Sequence, residues 1–342
     1  MRPTVFIVQA VPEEALVDLR AVASVEMFPA LDRLISEPEL VKAIRDVDYL
    51  WALGEVPVTA RTIAVARRLK LLAIMEILSK AVDIQAATAR GIPVTSLPNL
   101  EAVSISTAEH TFSLLLALAR RLPEAERLLR EGRWAQYQSM ALLGTRLAGK
   151  TLGIVGFGSV GRRVASYARA LGMHLLYTDR SRLPDQEGAL GAQWRPIDRL
   201  FAEADAIVVS ATLTASSRGL VDARLLAVMK PGALLVNTSR GPIIDEAALV
   251  DVLRERRIAG AALDVFETEP PTPGGGPSSA LLELDNVILT PHLGTATRES
   301  RTEMARLVAA GIIDAIEGRR PAHVANPEVY GEPPRPGLDR IG

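Results

Sequence analysis

Three side chains in the second half of the chain, Arg240, Glu269 and His292, are of the types needed to move a proton beside an anion. Arginine grips a carboxylate through a planar two-point fork. Histidine titrates near neutrality, so it can take a proton and return it. A carboxylate next to the imidazole raises its pKa and fixes its tautomer. Together they suit oxidation of a secondary alcohol that carries a neighbouring carboxylate, given a hydride acceptor. Each also has a plainer reading: a surface ion pair for Arg240 and Glu269, and a structural histidine after Pro291.

The hydride acceptor has a signature of its own. Residues 151–161, Thr-Leu-Gly-Ile-Val-Gly-Phe-Gly-Ser-Val-Gly, set Gly156, Gly158 and Gly161 at G-x-G-x-x-G spacing. Alone, that pattern is also met in glycine-rich turns. Here an apolar strand precedes it, an amphipathic helix follows, and the next strand ends at Asp179, eighteen residues beyond Gly161. A dinucleotide fold places its acid at roughly that distance, ~20 residues on. The glycines permit the tight turn and close backbone approach, and the helix N-terminus faces the pyrophosphate. Asp179 would accept hydrogen bonds from the adenosine ribose hydroxyls and repel a 2′-phosphate. Arg180 and Arg182 could neutralise such a phosphate. NAD is therefore the expected cofactor, with NADP left open.

These residues need a frame to hold them. From Lys150 onward the candidate strands are 152–156, 174–178, 206–210, 233–237, 260–264 and 287–289, with helices over 160–171, 197–202, 223–228 and 246–256. Gly156–Gly161, Asp179, Ser239-Arg240-Gly241, Asp264 and Pro291-His292 each follow the C-terminal end of a strand, the edge where open parallel sheets bind ligands. Residues 1–100 alternate in the same way, with strands at 5–8, 49–53, 71–75 and 93–96 and helices at 12–22, 38–45, 59–69 and 84–90, which indicates a second α/β layer. A long helical region over 106–132 joins the two, with Pro123 expected to kink or divide it. A helix over 298–317 has no place in the second unit and is expected to return to the first. The expected organisation is a discontinuous substrate domain (1–103 and 294–325), an NAD-binding domain (104–293) and a loose C-terminal tail (326–342).

Composition excludes several other functions. The chain has 342 residues, 39 Lys+Arg against 40 Asp+Glu, no cysteine and 4% aromatic residues. Disulfides, thiolate metal sites and a cysteine nucleophile are ruled out. Neither a basic block nor an aromatic stacking surface points to nucleic acid. The apolar run at the N-terminus is short and runs into Glu13 and Glu14, and 112–119 falls well short of a spanning helix. A cytoplasmic enzyme without nucleic-acid or membrane partners is expected. His110, His174 and His323 lack metal-ligand spacing, so no metal is expected, and His110 is read as packing or bonding locally.

Four stretches resemble the D-isomer-specific 2-hydroxyacid dehydrogenases: Gly-Ile-Val-Gly-Phe-Gly-Ser-Val-Gly at 153–161, Leu-Val-Asn-Thr-Ser-Arg-Gly at 235–241, Ala-Leu-Asp-Val-Phe-Glu-Thr-Glu-Pro at 262–270 and Leu-Thr-Pro-His-Leu-Gly at 289–294. Ala-Glu-His-Thr at 108–111 is similar as well, and the likeness spans roughly residues 1–325. It implies a Rossmann-type, doubly wound parallel-sheet domain inserted into a flavodoxin-like α/β substrate domain, paired into homodimers through the NAD-binding domain. It implies hydride transfer between a 2-oxo acid and a D-2-hydroxy acid. Arg240 would bind and polarise the substrate, His292 would be the acid/base and Glu269 its partner. Asp264 would anchor the nicotinamide carboxamide, Ser159 and Val160 would cover the pyrophosphate, and Thr107 would lie near the nicotinamide. Thr212, Thr238, Ser239 and Gly294 complete the expected cofactor site.

One wall departs from the family. Where its members carry a glycine-bearing loop that grips the substrate carboxylate, this chain has Met-Glu-Ile-Leu-Ser-Lys-Ala-Val-Asp at 75–83. Leu78 and Ser79 are the expected substrate contacts there, and Glu76 brings a negative charge that Lys80 would offset. Val103 replaces a polar residue, and Thr212 stands where proline is common. The altered loop motivates a second reading, the same chemistry on an unusual anion such as phosphite. A third is a non-catalytic NAD-sensing protein of the same fold.

Overall fold

The computed structural model describes residues 2–77, 81–137, 140–269 and 274–334. The expected substrate contacts Leu78 and Ser79, and Lys80 with them, lie outside the described residues. The chain divides into two compact units, Met1–Ala102 with Ala296–Gly342, and Val103–Thr295.

The first unit is built on a parallel sheet of β1 (Thr4–Ile7), β2 (Ser24–Met27), β3 (Tyr49–Ala52), β4 (Leu71–Ile74) and β5 (Val94–Thr95). Their order is β2-β1-β3-β4-β5, the flavodoxin order. The central strands β3 and β4 are buried at every position, as unbroken apolar runs covered on both faces must be. Helix Arg298–Ile316 completes this unit after the chain has made the other one: Ser300 Oγ donates to the Ala102 carbonyl at 2.8 Å, and Arg298 pairs with Glu14 at 3.1 Å. Asp48, wholly buried between β1 and β3, accepts from Thr4 N and Oγ1 and pairs with Arg68 and Lys70. Burial alone would push that carboxyl up, but the Thr4 bonds and the two cations hold it below its ordinary value.

The second unit has seven parallel strands: β6 (Thr151–Val155), β7 (His174–Thr178), β8 (Ala192–Trp194), β9 (Ala206–Val209), β10 (Leu234–Asn237), β11 (Gly260–Leu263) and β12 (Val287–Leu289). The order β12-β11-β10-β9-β6-β7-β8 reverses direction at β6, between β7 and β9. That is the Rossmann arrangement extended by one strand, and its switch point is where a dinucleotide lies in such sheets.

Edges and boundaries are where the sequence expectations slip. Strands β2 and β8 escape detection because both are short edge strands. β2 alternates between exposed and half-buried residues, and β8 has one buried position. The expected helical region 106–132 is two helices, Glu101–Ala119 and Leu122–Arg130. They part at Arg121, which takes a left-handed conformation at φ 51°. Pro123 sits in the first turn of the second helix, where its missing N–H leaves no bond unmade. Helix Glu101–Ala119 has the length and apolarity to cross a membrane, yet it places Ala108, Leu114, Leu115, Leu118 and Ala119 in the core of the seven-stranded unit. The tail expected to be loose from residue 326 is fastened where it starts. Asn326 is buried, its Oδ1 accepting from Val94 N and its Nδ2 donating to Ile92 O.

Candidate active site

All three chemistry-bearing residues lie on loops at the C-terminal edge of the seven-stranded sheet, each after a different strand. Beyond β10, Asn237 turns the chain by accepting from Ser239 N and donating to the Arg240 carbonyl, both at 3.0 Å. Arg240 itself is extended and exposed, with Nη1 on the Ser239 carbonyl. Gly241 lets this loop press against the one after β11: a Cβ there would stand 1.8 Å from the Phe266 carbonyl oxygen. Phe266 in turn donates its N–H to Glu269 Oε1 at 3.1 Å.

His292 follows β12 at φ 53°, a left-handed backbone that costs a non-glycine residue energy. Buried Asp264 holds it there. Its carbonyl accepts from His292 N at 3.0 Å, and its carboxylate accepts from Thr290 Oγ1 (2.6 Å), Leu293 N (2.7 Å) and Gly294 N (2.9 Å). His110 Nε2 closes on the same carboxylate at 3.1 Å. Burial raises the Asp264 carboxyl, but these donors bring it below its ordinary value. Asp264 is wholly buried, with Oδ2 receiving Gly294 N.

His292 Nδ1 donates to Glu269 Oε2 at 2.8 Å, which leaves Nε2 as the nitrogen able to exchange a proton. The imidazole is 46% exposed and its carboxylate partner 29%, so the pair presents its basic end outward. The bond to Glu269 raises the His292 pKa against the opposing effects of burial and of the Arg240 charge. Glu269 moves down: burial would raise it, but the His292 bond and charge, the Phe266 N–H and Arg240 outweigh that. Arg240 thus acts by charge on both members of the pair.

The remaining expected residues surround the switch point. Gly156 has φ 91°, and a side chain there would strike the backbone of Ala211; Gly161 abuts the Gly156 carbonyl. Gly158, by contrast, faces open space within 4 Å. Two glycines therefore pack the loop and the third leaves room for a ligand against the backbone, at the N-terminus of helix Ser159–Ala170. Ser159 accepts from Ser104 Oγ at 2.9 Å, and Val160 stands beside it in the first helical turn. Asp179 accepts from Phe157 N and Arg180 N, both at 2.7 Å, one on each oxygen. Thr238 is buried with Oγ1 2.5 Å from Thr111 Oγ1, Ser239 Oγ donates to the Ala211 carbonyl, and Thr212 is exposed. Thr107 lies against Gly294, 3.4 Å from where a Cβ would be. A dinucleotide fits this donor set: a free backbone surface at Gly158, an anion-accepting helix start, and an acid with lone pairs to spare for hydroxyls.

His110 is the residue sequence reasoning misplaced. It bonds across to Asp264 and Thr290 Oγ1, well beyond its own helix. The signal was available: Thr107, His110 and Thr111 fall at i, i+3 and i+4, so one face of the helix carries three polar side chains together.

The family model for "D-isomer specific 2-hydroxyacid dehydrogenase, NAD binding domain" matches residues 112–294. A glyoxylate reductase of Thermococcus gammatolerans is 39% identical over 333 residues, covering 96% of this chain and 97% of its own. The chain belongs to the D-isomer-specific 2-hydroxyacid dehydrogenases. Among solved structures, a putative member of the family from a Polaromonas species superposes with a TM-score of 0.85 at 29% identity, covering 95% and 99% of the two chains. An NADPH-dependent glyoxylate/hydroxypyruvate reductase from Sinorhizobium meliloti, crystallised with NADP and malonate, gives 0.75 at 30% identity, covering 95% and 97%. The protein is an NAD(P)-dependent oxidoreductase acting on a CH–OH group, and its chemistry is that of 2-oxo acid reduction.

Proposed function

We propose that the protein interconverts a 2-oxo acid and a D-2-hydroxy acid, with His292 as acid/base, Glu269 as its partner and Arg240 as the substrate-binding cation. The observation that carries this reading is the His292–Glu269 bond at 2.8 Å, on the same sheet edge as Arg240. Arg240 takes the substrate's carboxylate and carbonyl region in its fork and polarises the carbonyl. His292 gives its Nε2 proton to the carbonyl oxygen during reduction and takes it back during oxidation. Glu269 steadies the imidazolium before that transfer and the ring's orientation after it. When bound, the nicotinamide supplies the hydride. Asp264 keeps His292 in place beside the carboxamide, and Thr107 and Gly294 line the same corner. NAD is the preferred cofactor in this reading, because Asp179 repels a 2′-phosphate.

The five-stranded unit is the substrate domain in this reading and Val103–Thr295 the cofactor domain. A homodimer through the latter is supported by exposed Leu122, Leu129, Trp134, Tyr137 and Met140, on a helix without a buried residue and the segment after it.

NADH oxidation against a panel of 2-oxo acids tests the assignment. Glyoxylate comes first, because relatives bear the name glyoxylate reductase. Turnover of at least one acid is expected, falling roughly 10²–10⁴-fold in His292→Ala. Arg240→Lys should cost roughly 100-fold in kcat/KM, since an ammonium cannot reproduce the fork. Turnover of phosphite with NAD⁺, and of no oxo acid, would favour the unusual-anion reading. Tight NADH binding without any turnover would leave a sensor.

A further inference from the structure

Cofactor selection in this fold turns on the residues just beyond Asp179, and here two of them are arginines, Arg180 and Arg182. Their side chains differ in occupation. Arg180 makes no side-chain hydrogen bond or ion pair among the described residues. Glu187 takes the Nε–Nη2 edge of the Arg182 guanidinium, Nε to Oε1 at 2.7 Å and Nη2 to Oε2 at 2.8 Å, which offsets its charge and fixes where it points. Arginine binds phosphate through this same two-point geometry. A guanidinium engaged in this way competes poorly for a second anion.

An exposed ion pair would be weak evidence, but this one is rooted in the core. Arg182 is 64% exposed, whereas Glu187 is only 13% exposed. Glu187 Oε1 also accepts from Tyr177 Oη at 2.7 Å, and Tyr177 Oη accepts from Leu183 N at 2.7 Å. Tyr177 is wholly buried and stacks on Phe157 with ring centroids 4.2 Å apart. Phe157 is the residue between Gly156 and Gly158, and its N–H is the donor to Asp179. One continuous set of contacts therefore joins the glycine loop, the ribose-facing acid and the Arg182 clasp. Arg182 and Tyr177 hold the Glu187 carboxyl down at about 2, so the clasp stays charged at any pH the enzyme works at.

We infer that Glu187 is a positioning residue for cofactor choice: by clasping Arg182 it withholds the cation that would pair with the 2′-phosphate of NADPH. Asp179 excludes that phosphate by repulsion, and Glu187 excludes it by occupying its counter-charge. The inference rests on the reading of Asp179 as the ribose-facing acid, and its test separates the two.

Dissociation constants of NADH and NADPH, measured by calorimetric titration without substrate, are the readout. In the otherwise unaltered protein, Arg182→Ala should leave NADPH binding within twofold, because Arg182 is already engaged. A tenfold loss there would show Arg182 on the phosphate and overturn the inference, whichever cofactor the parent protein prefers. Glu187→Gln keeps an acceptor for Tyr177 but loses the charge that holds Arg182. It should tighten NADPH about tenfold and leave NADH within twofold. Adding Arg182→Ala to Glu187→Gln should erase the gain. A gain that survives in the double variant would assign it to Arg180 and also overturn the inference. A parent protein that prefers NADPH would remove the Asp179 reading without deciding the clasp, which the Arg182→Ala comparison still decides.

Discussion

In the proposed reaction the His292–Glu269 pair would set the pH behaviour through two opposite shifts. His292 is raised above 6.5 by its bond to Glu269, and Glu269 is lowered below 4.5. Reduction needs the protonated imidazole, so its kcat/KM should hold through neutrality and fall as pH rises through the raised His292 value. Glu269→Gln removes the main cause of the shift and should move that alkaline limb to lower pH. A limb that stays in place in a pH–rate profile would mean that another group is titrating. The stability contributions have the same signs. The raised histidine adds stability that is complete below about 6.5 and is lost as pH climbs through its folded value. The lowered carboxylate adds stability above about 4.5 that is lost as pH falls through its own. Arg240, Glu269 and His292 could be singled out as candidates in the sequence because the proposed chemistry restricts the residue type. The strained backbone at His292 was not legible there, because a left-handed φ leaves no mark in spacing along the chain.

The elements that carry these residues are fixed by contacts between loops as much as by the strands before them. Gly241 is the tightest example. Gly241→Ala would set a methyl carbon 1.8 Å from the Phe266 oxygen, so the β10 and β11 loops would have to separate. Overpacking of that kind costs about 2 kcal/mol, to be read as a lower Tm. Because Phe266 N also holds Glu269, the variant should lose kcat along with stability. An unchanged kcat in a destabilised protein would show that the loop contact serves folding alone. Most of the strands were readable from the sequence, since central strands of a parallel sheet are continuous apolar runs. β2, β8 and the helix Pro184–Leu190 between β7 and β8 were not. The edge strands mix polar and apolar residues because one side faces water. The helix Pro-Asp-Gln-Glu-Gly-Ala-Leu has no buried residue, so it carries no apolar period to read. The clasp on Arg182 stands on this last element, which is why cofactor choice stayed open at the level of sequence.

At the scale of the molecule, the exposed apolar surface near helix Leu122–Arg130 is the feature that bears on assembly. Leu129 and Trp134 are 59% and 64% exposed and Tyr137 is 83% exposed, more apolar surface in one short stretch than a lone domain ordinarily leaves in water. Sedimentation velocity should give a dimer, and Leu129→Glu should shift it toward monomer. A monomeric parent protein at tens of micromolar would refute the homodimer reading. The charge balance of 39 to 40 is silent on this point, because burial of one apolar patch does not change net charge.

The order in which the two units can close is set by how the chain is threaded. During synthesis, β1 to β5 leave the ribosome before Val103–Thr295, whereas helix Arg298–Ile316 and Asn326, which pack on them, leave after it. The whole of Val103–Thr295 is made in between, an interval of roughly 10–40 s at ~5–20 residues per second. The first-made unit is therefore the last to be completed. For that interval the growing chain holds a sheet whose covering helix does not yet exist, while its continuous neighbour can fold as soon as it emerges. The nascent protein should thus be most exposed to chaperones and proteases at β1 to β5.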